Sequence, residues 1–183
     1  CNLRCSYCDT TYAYEGGREM SISSILEEVR GFKTKLVCIT GGEPLINKET
    51  PLLAEALLNE RYTVLVETNG SCDISVLPKA AIKIMDLKCP DSNASPLMHW
   101  QNIAYLTPLD EVKFVLSSRK DYEWAKAIIQ QHCLSEIARV LIGTASGAIP
   151  PKTVVQWLLE DNLNVRFQLQ IHKYIWEPHA RGV

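Results

Sequence analysis

Three cysteines at the start of the chain, Cys1, Cys5 and Cys8, are the residues whose type and spacing most plainly suggest chemistry, set as C-x3-C-x2-C inside CNLRCSYCDTTYA. The turn formers Asn2, Ser6 and Asp9 lie beside them, and a short loop of this kind curls its sulfurs inward. Thiols gathered in this way make a metal or cluster site. A structural zinc takes four closed ligands, and a 4Fe-4S cluster held by protein alone takes four cysteines. The local count is three. Unless a distant residue completes the set, one iron keeps an open position for an outside molecule, which is what separates a catalytic metal from a structural one. The competing reading is a structural zinc completed by Cys89 or a histidine.

Such a loop needs a frame, and the rest of the chain alternates short apolar runs with helical patterns. Ser21 to Phe32 reads as a helix capped by Ser23 or Ser24, with Ile22, Ile25, Leu26 and Val29 on its apolar face. Strands are expected at Leu36 to Thr40, Thr63 to Glu67, Ala81 to Leu87, Glu111 to Leu116, Arg139 to Ile142 and Asn164 to Ile171. Helices fall at Pro51 to Asn59, Lys120 to Gln131 and Pro151 to Leu159, with a brief one at Ile74 to Leu77. Asp91 to Pro108 reads as irregular, with His99 and Trp100 packing a loop. Parallel neighbours need crossovers, so the alternation predicts parallel β/α units. Six strands are too few for an eight-strand barrel, which leaves an open, partial barrel or a doubly wound sheet.

In both architectures ligands gather at the carboxyl ends of the strands. Those ends are Thr40 to Pro44, Glu67 to Gly70, Asp86 to Pro90, Gly143 to Gly147 and His172, rich in glycine and polar side chains. Plainer roles exist for many residues here. Asp86 and Lys88 share a strand face and can form a salt bridge, while Glu43 and Glu67 are either solvated turn carboxylates or members of a binding rim. Thr10 alone reads as a turn hydroxyl, and His172 with Lys173 as a strand-end cap or part of a site. Cys38 is expected to be buried, Cys72, Cys89 and Cys133 to be plain thiols, and Trp124 and Trp157 to be core.

The 183 residues are 46% hydrophobic and 22% charged, which suits one globular domain with a sizeable core. The formal charge of -2 and the lack of a dense Lys/Arg cluster argue against nucleic acid and for a small-molecule substrate. No apolar run approaches the roughly 18 residues of a membrane span, and no signal-peptide pattern opens the chain. The remaining cysteines are scattered singly, which suits a reducing cytoplasm rather than a secreted disulfide framework.

The C-x3-C-x2-C loop followed by an apolar strand and Gly41-Gly42-Glu43-Pro44 resembles the radical S-adenosylmethionine superfamily. Within it, CNLRCSYCDTTYA, ITGGEPL, ETNG, DLKCP, DEVKF and HKYIW together resemble the 7-carboxy-7-deazaguanine synthase family, in the same order and over nearly the whole chain. The resemblance implies an α/β fold, an open β/α barrel of about six strands carrying a 4Fe-4S cluster. It implies a lyase of queuosine and 7-deazapurine biosynthesis. The reaction converts 6-carboxy-5,6,7,8-tetrahydropterin to 7-carboxy-7-deazaguanine with loss of ammonia.

Carried over by position, the resemblance makes Cys1, Cys5 and Cys8 cluster ligands, with S-adenosylmethionine chelating the fourth iron. Tyr7, Cys8 and Asp9 then line the cofactor, Gly42 meets its methionine portion, and Asp86, Leu87, Lys88 and Gly143, Thr144, Ala145 and Ser146 meet its nucleoside. Glu67 goes to cofactor or substrate, Thr40 to the pterin, Pro178 to the substrate, and Thr10 to a magnesium ion that also touches substrate. The family further implies a homodimer and a reductant such as flavodoxin. It also implies an upstream strand, a Gly-Glu-Gly substrate loop and an arginine before the first cysteine, so an N-terminal segment is expected ahead of Cys1. Two rivals stay open: an activase or other small enzyme of the same superfamily, and a zinc-stabilised, non-enzymatic binding module.

Overall fold

The computed structural model describes residues 1–177 and Ala180. Six strands form one sheet: β1 Leu36–Ile39, β2 Thr63–Thr68, β3 Ile82–Asp86, β4 Glu111–Leu116, β5 Arg139–Thr144 and β6 Arg166–Phe167. They lie in chain order, and every neighbouring pair is parallel. Helix α1 Ile22–Arg30 precedes β1, and the crossovers include α2 Thr50–Asn59, α3 Arg119–Gln131, the short α4 Leu134–Ile137, and α5 Pro151–Glu160. A last short helix, α6 His172–Ile175, follows β6. Strand order that never reverses excludes a doubly wound sheet, whose order switches, and leaves the open partial barrel.

Each expected strand is present, but the last is much shorter than Asn164 to Ile171. β6 is an edge strand, and beyond the Gln168 N–H bond to the Ile142 carbonyl its chain leaves β5; Leu169 and Ile171 stand exposed. Apolar alternation there reflected surface rather than pairing. The α1 cap is Ser21, whose hydroxyl accepts the Ser24 N–H at 3.2 Å, not Ser23 or Ser24. Three serines within four residues carry the same capping chemistry, and only the backbone trajectory selects one. The stretch expected to be irregular contains 3₁₀ turns at Pro90–Ser92, Ser95–Leu97 and Trp100–Tyr105. Trp100 stacks on His132 with ring centres 5.6 Å apart, so it packs a loop as expected.

Side chains alternate across the strands, and the two faces have different fates. Val64, Val66, Met85, Val112, Phe114, Leu116, Val140 and Ile142 are buried in the core against the helices. That face also carries a buried ion pair, Lys83 to Asp110 at 3.3 Å, in which Asp110 also accepts the Lys83 and Thr107 N–H groups. The opposite face presents Leu65, Glu67, Asp86, Lys113 and Val115, and opens to a cavity described below. Cys38 is exposed rather than buried: it sits on β1, and among the described residues no layer covers that second face. Trp124 and Trp157 are half-buried at the core margin rather than inside it. Cys89 is buried, while Cys133 is exposed.

Candidate active site

The cysteine loop has almost no regular structure of its own and is held from outside. Ser6 donates its backbone N–H to the Ser92 carbonyl at 3.1 Å and its hydroxyl to the Asp91 carbonyl at 2.6 Å, so the 3₁₀ turn after β3 braces the loop. That turn is fixed in its own right by Asp121, fully buried, which accepts the Asp91 and Ser117 N–H groups. The Tyr7 hydroxyl donates to the Val115 carbonyl of β4 at 3.1 Å, and burial together with nearby Asp86 pushes its pKa far up. Leu3 anchors the loop in the core.

The Gly-Gly-Glu-Pro turn after β1 closes on the same loop. A Cβ on Gly42 would lie 2.5 Å from the Cys1 Cβ and 2.8 Å from the Ala13 carbonyl, so only glycine fits there. Gly41 has φ +139, a conformation side chains rarely adopt. Glu43, one of two carboxylates readable as solvated, is buried. It accepts the Leu45 N–H and Thr68 hydroxyl on one oxygen and the Asn69 N–H on the other at 2.6 Å. The carboxylate therefore ties the ends of β1 and β2 together.

Between these loops lies a cavity of about 450 Å³. Of the residues expected at a site, Cys1, Cys5, Tyr7, Cys8, Asp9, Thr10, Thr40, Gly42, Glu67, Asp86, Lys88, Ala145 and Ser146 line it. Leu87 does not: it follows Asp86 on the strand, so alternation turns it into the core. Gly143 and Thr144 also lie outside the lining, with the Gln168 carbonyl over Gly143. His172 is half-buried away from the lining, and Pro178 lies outside the described residues.

The lining also contains Asn69 and Lys113, which have no particular expected role, and Lys173, which reads from the sequence as a strand-end cap or part of a site. Lys113 is paired with Glu67 and lies 3.8 Å from Asp86, which in turn binds Lys88 at 2.7 Å. Burial works against both ammonium groups, but the Asp86 charge, joined for Lys113 by Glu67, outweighs it and raises their pKa values. Lys113 stands in DEVKF, and its alternation with the core residues Val112 and Phe114 was the signal that it faces the cavity. Lys173 of HKYIW binds Asp9 of the CDT segment at 2.7 Å, and Gln170 reaches the same oxygen at 3.3 Å. Burial pushes the Asp9 carboxyl up, but the bonds from Lys173 and Thr10 prevail and hold it below the usual range. Two motifs at opposite ends of the chain thus meet in one ion pair.

The arrangement fits a cluster and a polar cofactor better than a single metal ion. Among the described residues no three His, Cys, Asp or Glu are disposed to hold one ion, which a closed zinc site requires four ligands to do. Three cysteines along one wall can each meet a different iron of a cluster. Asp86 Oδ1 is buried without a partner among the described residues, and a buried acceptor of this kind calls for a donor from a bound molecule.

The site and sheet place a three-cysteine loop at the carboxyl rim of an open β/α barrel, the architecture of a cofactor-dependent enzyme. Residues 1–131 match the model of the Radical SAM superfamily. The 7-carboxy-7-deazaguanine synthase of Koribacter versatilis (strain Ellin345) is 40% identical over 198 residues, covering 100% of this chain and 88% of the relative. The synthase of Chlorobaculum tepidum is 38% identical, covering 100% of this chain and 84% of that one. The crystal structure of QueE from Escherichia coli shares the fold, with a TM-score of 0.73 at 18% identity over 93% of this chain and 81% of that one. The chain belongs to the radical SAM superfamily and, within it, to the 7-carboxy-7-deazaguanine synthase family. That superfamily implies a 4Fe-4S cluster and S-adenosylmethionine.

Proposed function

We propose that this enzyme converts 6-carboxy-5,6,7,8-tetrahydropterin to 7-carboxy-7-deazaguanine with loss of ammonia; the name of its relatives gives the product. The observation that carries the reading is the meeting of the cysteine loop, the Gly-Gly-Glu-Pro turn and the Glu67–Lys113–Asp86–Lys88 charges around one cavity. When bound, the cluster supplies the electron that cleaves S-adenosylmethionine to the radical that takes hydrogen from substrate.

The protein's own part is to hold, orient and shield. Cys1, Cys5 and Cys8 would hold three irons of the cluster, with the fourth open to the cofactor. Tyr7, Asp9 and Gly42, with Asp86, Lys88, Ala145 and Ser146, would surround the cofactor, while Leu87, Gly143 and Thr144 stand outside the cavity lining. Thr40 and Glu67 face the pterin, whose donor edge a carboxylate accepts. Lys113 fixes Glu67 for that purpose through their ion pair. Thr10 supplies a hydroxyl oxygen to a magnesium ion that neutralises the substrate carboxylate, a hard-cation pairing. Pro178, assigned to the substrate by resemblance, lies outside the described residues. We further propose that residues 1–183 act as one radical-SAM domain of a cytoplasmic homodimer reduced by a flavodoxin-like donor. No helix among the described residues is long and apolar enough to cross a membrane.

The test is anaerobic reconstitution of the protein with iron and sulfide, then incubation with the tetrahydropterin, S-adenosylmethionine and dithionite, followed by mass analysis. Magnesium-stimulated formation of the deazaguanine acid is expected. Deoxyadenosine formed only when a partner protein is added would instead indicate an activase.

A further inference from the structure

We propose that Asn69 is a positioning residue for the iron–sulfur centre, whose side-chain amide donates a hydrogen bond to the Cys1 sulfur and raises the cluster's reduction potential. This rests on the reading of Cys1 as a cluster ligand. Asn69 follows β2 and lines the cavity. Its side-chain oxygen accepts the Ser71 N–H at 3.0 Å and the Ser71 hydroxyl at 2.6 Å. A backbone N–H can only donate, so the amide oxygen must face Ser71 and the nitrogen must face the other way. That nitrogen lies 3.7 Å from the Cys1 sulfur and 3.1 Å from the Asn2 side-chain oxygen, giving its two protons two acceptors.

The donor is rigidly placed. The Asn69 N–H is held by buried Glu43 at 2.6 Å, and Asn2 returns a bond to the Ser71 hydroxyl at 2.8 Å, closing a ring of three side chains. Asn69 is itself 7% exposed, so water competes little for its amide. A reduced cluster places more negative charge on its sulfurs, and a hydrogen bond to sulfur stabilises that state over the oxidised one. The Glu43 carboxylate of the Gly-Gly-Glu-Pro turn therefore acts on the cluster through Asn69, without touching it.

The test is a redox titration of the reconstituted cluster, followed by electron paramagnetic resonance without S-adenosylmethionine, with iron per chain measured on each sample. Asn69→Leu keeps the bulk and removes the donor. Its midpoint is expected to fall by about 59 mV, a tenfold change in a one-electron equilibrium. Asn69→Asp, of the same size, is expected to move the midpoint in the same direction. Asn2→Ala loosens the same ring but keeps the donor, and is expected to leave the midpoint unchanged. An unshifted midpoint in fully loaded Asn69→Leu overturns the proposal, as does an equal shift in Asn2→Ala. Folded Asn69 variants that both fail to retain iron also overturn it, in favour of a role in assembly. Iron retained undiminished in Cys1→Ala would instead sink the ligand reading beneath it.

Discussion

The two faces of the sheet are built from the same strands, yet one is spent on stability and the other on charge. On β4, Val112, Phe114 and Leu116 are fully buried against the helices, while Lys113 and Val115 between them line the cavity. The core face holds one ion pair, Lys83 to Asp110, and both partners are nearly inaccessible. The cavity face strings Glu67, Lys113, Asp86 and Lys88 together at intermediate exposure and leaves Asp86 Oδ1 without a partner among the described residues. Full satisfaction serves packing, and an unmet acceptor serves a ligand. Substitutions on the core face should therefore change stability, and those on the cavity face should change activity at nearly constant stability.

The largest effect is expected where the loops meet. Gly42→Ala places a Cβ against Cys1, so the cysteine must move, and iron uptake on reconstitution should be lost while circular dichroism stays native. A full complement of iron in that variant would show that the turn can yield. On the core face, Phe114→Ala removes a fully buried ring that meets Trp124 edge-on at 6.2 Å. It should cost about 3–5 kcal/mol in urea unfolding.

Lys113→Met sharpens the contrast, because it lies between two core residues on the same strand. Turnover should fall about 10²-fold through loss of substrate positioning. Unfolding free energy should change by only about 1 kcal/mol, since Glu67 can take up water and Asp86 keeps Lys88. A stability loss as large as that of Phe114→Ala would erase the distinction between the faces.

Lys173→Ala should have the smallest effect, loosening the CDT segment by one partly exposed ion pair. Because the folded Asp9 carboxyl lies below its ordinary value, the pair's contribution is present above about pH 3.9 and disappears as pH falls through the lowered value. The difference in melting temperature between variant and parent should be constant near neutrality and vanish in acid. A difference that instead faded between about pH 6 and 8 would point to a histidine in place of Asp9.

Local rules carried much of the fold. Period-two runs with turn signals located all six strands, and β/α alternation made them parallel. They misjudged the edges: Cys38 and Leu169 have apolar patterns suited to a buried strand but lie where no layer among the described residues covers them. Local chemistry also could not separate Ser21 from its neighbours as the α1 cap, nor detect α4, whose four residues hold too little period to register.

The same division runs through the site. Cys1, Cys5 and Cys8 are legible because three thiols in a short loop are rare and chemically specific, and the rim residues because parallel strands place ligands at their carboxyl ends. The sequence alone thus determined the candidate groups and the end of the sheet that carries them. Only the tertiary structure decided which partners hold them: Glu43 clamping Asn69, Asn69 facing Cys1, Lys113 between Glu67 and Asp86, and Lys173 on Asp9. The physical reason is separation along the chain. Periodicity and turn chemistry act over a few residues, whereas each of these contacts joins segments that only sheet register and loop closure bring together.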